Sequence, residues 1–147
     1  MMNFVRSSHL LDVGDLARLH ALSFDPPWSA SEFRSWLERE TTISSQVRDG
    51  NELIAFGVAS AAGDDVDLLT IMSHPAARRT GAARMVLRAM SHQAASRGLV
   101  RWVLEVARDN DPARALYMAE GFREIGVRPG YYRRADCRVD AIVMSRP

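Results

Sequence analysis

Leu68-Leu69-Thr70-Ile71-Met72-Ser73, then Arg78-Arg79-Thr80-Gly81-Ala82-Ala83-Arg84, passes from strand chemistry to helix chemistry with only a short turn between. From Ala82 to Arg97 the residues Met85, Val86, Ala89, Met90 and Ala94 recur at helical spacing, and Gly98 stands where a helix end favours positive φ. Arg101 to Val106 then reads as a buried strand. A strand, a crossover helix and a second strand in that order predict two strands lying side by side and parallel. The turn at the helix start has its own chemistry. Its backbone N–H groups have no helical partner, the helix dipole is positive there, and Gly81 lets a ligand approach closely. Arg78, Arg79 and Arg84 add charge. Two readings stay open, a seat for a pyrophosphate or a solvated basic turn.

Outward from this unit the pattern stays regular. On the N-terminal side, Asp12 precedes Val13, Leu16, Leu19, His20 and Leu22, a short amphipathic helix. The loop Phe24 to Trp28 ends it, and Ser29 with Glu32 forms a capping box for a second helix with Phe33, Trp36 and Leu37 on one face. Two helices are therefore expected to lead the chain. Ile43 to Val47, Leu53 to Ser60 and Val66 to Met72, punctuated by Asp49-Gly50-Asn51 and Gly63-Asp64-Asp65, read as an antiparallel meander. On the C-terminal side Asp111 is expected to cap a helix with Pro112 in its first turn and Gly121 past its end. Phe122 to Val127 and Ala141 to Ser145 close the chain as strands. The order predicts one α/β domain over residues 1–147, a mixed sheet with helices on both faces.

Composition narrows the functional classes. The 147 residues are 47% hydrophobic and 25% charged, as in an ordinary globular domain. No apolar run approaches a membrane helix, and Met1 to Leu11 lacks a basic region followed by an apolar core, so a cytoplasmic address is expected. A lone cysteine, Cys137, makes no internal disulfide, and His9, His20, His74 and His92 are scattered, so no metal site is expected. All nineteen basic residues are arginine. Five of them face eleven acids up to Ala77, whereas fourteen face seven from Arg78 on. The arginines are spread over helices and turns instead of being interleaved with aromatics, so neither direct nucleic-acid binding nor a membrane partner is expected. Without lysine there is no nucleoside-triphosphate loop, and G-x-G-x-x-G is also missing.

The run Arg78 to Ala83 has the form R-x-x-G-x-A and follows a strand. It resembles the acetyl-CoA motif of the GCN5-related N-acetyltransferases. Leu104-Glu105-Val106, Asn110, Ala115-Leu116-Tyr117, Gly121-Phe122, Tyr131-Tyr132 and Asp140-Ala141, with Pro27-Trp28-Ser29 near the start, extend the likeness over nearly the whole chain. They resemble that family's RimI branch. The resemblance implies a twisted, mostly antiparallel sheet with a central parallel strand pair. It also implies transfer of an acetyl group from acetyl-CoA directly to the N-terminal α-amine of a protein, in that branch the N-terminal alanine of a small-subunit ribosomal protein. Acetylation of a small amine or a lysine side chain, or CoA binding without catalysis, are the alternatives. A monomer or weak dimer is expected.

Residue by residue, the resemblance puts Ile71, Met72 and Ser73 against the acetyl and pantetheine portion of the donor. Arg78, Arg79, Thr80, Gly81, Ala82, Ala83 and Arg84 would hold the pyrophosphate, and Asn110 would touch the pantetheine arm. Glu105 would accept a proton and Tyr117 would donate one. Trp28, Asp67, Tyr131 and Tyr132 would flank the acceptor. Met72 and Ser73 depart from the small apolar residue and valine expected there. Chemistry supports the same assignments independently. An amine attacking a thioester sheds a proton, and Glu105 is a carboxylate on an otherwise apolar strand; it is either a base or an outward-facing partner of an arginine. A departing thiolate gains from a phenol's proton, which Tyr117 can give unless it is only a core aromatic. Cys137 lies among Arg133, Arg134 and Arg138, but no histidine stands near it in sequence, which argues against a covalent role. Asp25, Asp64, Asp65 and Asp67 either form an acidic rim suited to a cationic peptide or are simply solvated.

Overall fold

The computed structural model describes residues 3–147; Met1 and Met2 lie outside it. Seven strands form one sheet in the order β1-β2-β3-β4-β5-β7-β6. In chain order the elements are β1 (Asn3–Arg6), α1 (Val13–His20), α2 (Ala30–Leu37), β2 (Thr42–Asp49), β3 (Glu52–Ala62), β4 (Asp65–Ser73), α3 (Ala82–Ser96), β5 (Arg101–Ala107), α4 (Asp111–Ala119), β6 (Arg123–Arg133) and β7 (Arg138–Arg146). Every neighbouring pair is antiparallel except β4 with β5.

Each face of the sheet carries two helices. α1 and α2 lay Leu16, Leu19 and Phe33 against Phe56, Val58 and Met72. On the other face Val86, Leu87 and Met90 of α3, with Tyr117 of α4, cover Trp102, Leu104, Ile142 and Met144. Full burial of one such side chain stabilises the fold by about 1.5–3 kcal/mol, so these two layers hold the sheet from both sides. Gly57 of β3 sets the spacing of α3. A Cβ at that position would lie 2.5 Å from Met90 Cε and 2.9 Å from Val86 Cγ1.

The meander, the crossover and both helix pairs follow the sequence pattern, and the Ser29/Glu32 capping box is present. Gly98, at φ +78°, closes α3 as expected. Three details differ. The chain begins with a strand, because Asn3 to Arg6 finds the free edge of β2; four residues are too few for a periodic signal. Asn110, not Asp111, caps α4, accepting the Ala113 N–H at 3.3 Å. Finally, β6 runs on through Pro129 and Gly130 to Arg133, and β7 starts early at Arg138. A bulge absorbs the proline and glycine: Arg128 faces Ala141 and Tyr132 faces Val139, leaving Pro129, Gly130 and Tyr131 opposite Asp140 alone.

Candidate active site

The site begins where strand pairing stops. β4 and β5 are joined through only three residue pairs, Asp65 with Arg101, Val66 with Trp102 and Asp67 with Val103. Just beyond, β4 carries one extra residue relative to β3, since Val58 faces Thr70 while Ala59 faces Leu68, which leaves Leu69 unmatched. A bulge bends its strand and increases local twist. Thr70 to Ser73 and Leu104 to Ala107 consequently diverge as the two arms of a fork, and the β4 backbone groups facing β5 along Ile71, Met72 and Ser73 lose their ladder partners.

At the open end of β4 the chain turns through Pro75–Ala77 into the arginine-rich segment. Arg79 and Gly81 both adopt positive φ, +66° and +84°, and the Thr80 hydroxyl donates to the Ala77 carbonyl at 2.6 Å. Gly81 is the N-cap of α3 and brings no capping side chain. The first helical bond runs from Met85 N–H to the Gly81 carbonyl at 3.0 Å, so the amides of Ala82, Ala83 and Arg84 precede it. A Cβ built on Gly81 would meet nothing within 4 Å. An uncapped helix start under open space, ringed by arginines, fits a diphosphate. Glu120 is taken by Arg88, at 2.8 and 3.2 Å, and only loosely approached by Arg84 at 3.7 Å. Arg78 and Arg79 make no ion pair among the described residues.

Between the arms of the fork, β5 alternates. Trp102, Leu104 and Val106 point into the core under α3, so Val103 and Glu105 face the other side of the sheet. There Glu105 lines a cleft of about 480 Å³ together with Asp67, Leu69, Arg128, Tyr131 and Tyr132. Its Oε1 lies 3.1 Å from Arg128 Nε. Asp140 accepts the Gly130 N–H at 2.8 Å, which pins the bulge that carries Tyr131 and leads into Tyr132.

Tyr117 approaches from α4. The turn from β5 is set by the Asn110 N–H, which donates to the Ala107 carbonyl at 3.0 Å. The Tyr117 ring is buried, 5.7 Å from that of Phe122. Burial pushes its phenol well above the ordinary tyrosine value, and the nearby Tyr132 adds to this. Burial also raises Tyr132, helped by the Glu105 charge, while Arg134 acts the other way. Tyr132 is thus the electrostatic neighbour of both Glu105 and Tyr117.

Trp28 lies elsewhere, half-buried among His20, Phe33 and Trp36 and outside the cleft lining. Cys137 is exposed. Among the described residues there is no cluster of three or more His, Cys, Asp or Glu able to hold a metal, and no helix is long and apolar enough to cross a membrane. Arg128, the Glu105 partner, escapes a reading of the sequence, and Asp140, the bulge anchor, reads there equally well as a strand cap. The Pro129-Gly130 pair inside a strand is the one local sign of the bulge that connects them.

A strand fork, an uncapped helix start ringed by arginines and a carboxylate over a cleft suit acyl transfer from a CoA thioester. The model of the acetyltransferase (GNAT) family matches residues 13–122, and the chain belongs to that family. Over 146 residues, 99% of this chain and 98% of the relative, it is 30% identical to the ribosomal protein bS18-alanine N-acetyltransferase of Escherichia coli. It is 34% identical over 141 residues to the N-alpha-acetyltransferase RimI of Mycobacterium tuberculosis, covering 92% of this chain and 86% of the relative. The crystal structure of the Escherichia coli enzyme superposes with a TM-score of 0.90 at 30% identity, covering 99% of this chain and 94% of that one. The protein is an acetyl-CoA-dependent N-acetyltransferase.

Proposed function

We infer that the acceptor is the N-terminal α-amine of a protein, and that the terminal alanine of a small-subunit ribosomal protein is the substrate that suits it best. One observation carries this reading. Glu105 stands on the diverging arm of the fork, facing a cleft of about 480 Å³. That is room for the first residues of an extended peptide and more than a small amine requires. The names of the relatives in Escherichia coli and Mycobacterium tuberculosis support it.

Acetyl-CoA supplies an acetyl group activated as a thioester. The unpaired backbone of Ile71, Met72 and Ser73 would bind its acetyl and pantetheine portion and aim an amide at the oxygen that gains charge as the amine adds. Arg78 to Arg84 would hold the diphosphate, and Asn110 the pantetheine arm. As the amine nitrogen bonds to the acetyl carbon, Glu105 takes the proton it releases, directly or through one water. As the carbon–sulfur bond breaks, Tyr117 would give its proton to sulfur. Asp67, Tyr131 and Tyr132 would line the acceptor path.

The test is an assay of purified protein with acetyl-CoA and a set of peptides differing only in the first residue, next to free amines, following release of the CoA thiol. Turnover on small first residues, alanine foremost, supports the reading. Turnover confined to lysine side chains or small amines would sink it.

A further inference from the structure

Glu105 faces one cation. Arg128 Nε is 3.1 Å from its Oε1, and no second ion pair reaches Glu105 among the described residues. The same guanidinium stands over the Tyr131 ring, 5.5 Å from its centre. All three side chains line one cleft. The Arg128 backbone is fixed, because it pairs with Ala141 immediately before the bulge that Asp140 pins through Gly130. The side chain is not fixed in this way. It is 59% exposed, and ion pairs of that exposure break readily.

An α-amine reaches a carboxylate from water largely as an ammonium ion, a second cation for the same oxygens. A second cation there weakens the hold of Glu105 on Arg128. Retained on the Tyr131 ring, Arg128 stays next to the incoming group with a planar fork of N–H donors turned away from Glu105. An N-terminal α-amine carries its own carbonyl one carbon away, with the oxygen roughly 3–4 Å from the nitrogen. A lysine side-chain amine has only methylenes at that distance. Resting on the reading of this cleft as the acceptor site, we propose that Arg128 donates to the carbonyl of the acceptor's first residue and so selects N-terminal α-amines over side-chain amines.

The test compares wild type, Arg128→Gln and Arg128→Lys on two peptides, one with a free α-amine and no lysine, the other with a blocked N-terminus and a single internal lysine. Arg128→Gln is expected to lose about ten- to a hundredfold in kcat/KM on the α-amine peptide, mostly through KM, which is the range of a charged hydrogen bond. The loss of charge beside Glu105 acts on both peptides, so the readout is their ratio: kcat/KM on the α-amine peptide relative to the lysine peptide should fall at least tenfold. Arg128→Lys keeps a cation beside Glu105 without the fork and should fall between; it carries the test by itself if the glutamine variant does not fold. Equal losses on both peptides, or an unchanged ratio, overturn the role of Arg128 while leaving the acceptor reading intact. A wild-type enzyme that acetylates only the lysine peptide overturns the acceptor reading, and the role of Arg128 with it.

Discussion

Trp28 donates its backbone N–H to Nδ1 of His20 at 2.9 Å, so the loop entering α2 hangs on a histidine at the end of α1. That bond fixes the tautomer: Nε2 carries the proton and faces the Thr70 hydroxyl of β4 at 3.2 Å. Phe24 stacks flat on the same ring, with centroids 4.0 Å apart. Burial lowers the His20 pKa to about 4, against a small opposing pull from Glu32.

Stability should therefore fall as pH drops from about 6.5 to about 4. In that window the unfolded chain binds a proton at residue 20 that the native chain refuses, and the cost reaches up to about 3 kcal/mol. Above about pH 6.5 the contribution is complete. Urea unfolding at about pH 7 and about pH 4.5 should show this loss in wild type and a much smaller one in His20→Gln. Equal losses in the two proteins would remove His20 as the cause.

Asp12 governs the range below that. Burial alone would raise its carboxyl, but donors outweigh burial: Arg6 at 2.9 and 3.0 Å, the His9 amide at 2.8 Å and Gln46 at 2.7 Å. The carboxyl is held well below the ordinary range, so its contribution is present above about pH 4 and lost only as pH falls further. Asp12→Ala strips Arg48, itself buried, of one of its two carboxylates. Arg48 keeps Asp15, so a loss of about 1–3 kcal/mol is expected in denaturant melts at neutral pH.

For catalysis, Tyr117→Phe keeps the ring packed against Phe122 and removes only the phenolic proton. Turnover should fall about a hundredfold or more with little change in acetyl-CoA affinity. Unaltered turnover would take Tyr117 out of the reaction.

Gly57→Ala pushes a methyl group against Val86 and Met90. A cost of about 1–3 kcal/mol is expected in thermal or urea melts. Since α3 starts at the turn proposed to hold the diphosphate, lifting it from the sheet should also raise the KM for acetyl-CoA. A normal KM beside a lowered melting temperature would show that the turn does not depend on how closely α3 packs.

Much of this was legible in the residues. Alternation and Gly-Asp turns gave the meander, and the helical spacing of Met85, Val86 and Met90 gave the crossover; Gly81 before Ala82 marked the uncapped start of α3. What stayed hidden is instructive. A single unmatched residue, Leu69, opens the fork, and it differs in no way from its neighbours in composition. The ion pair of Glu105 and Arg128 depends on β7 lying between β5 and β6, so that residues far apart in sequence meet through register alone. The burial of His20 reflects an aromatic cage assembled from the loop after α1, from α2 and from β3, where isolated in sequence it reads as an ordinary histidine.

Because β4 and β5 share only three rungs, the sheet is built as two ribbons, β1 to β4 and β5-β7-β6, joined at Asp65–Asp67. A thioester donor lying between the arms would stand in for the missing rungs, satisfying β4 amides that otherwise depend on water. Binding energy of that kind adds directly to folding stability. The enzyme is then at its stiffest when charged with its donor and at its loosest after the product leaves, so the same gap that admits the substrate also sets when the molecule breathes.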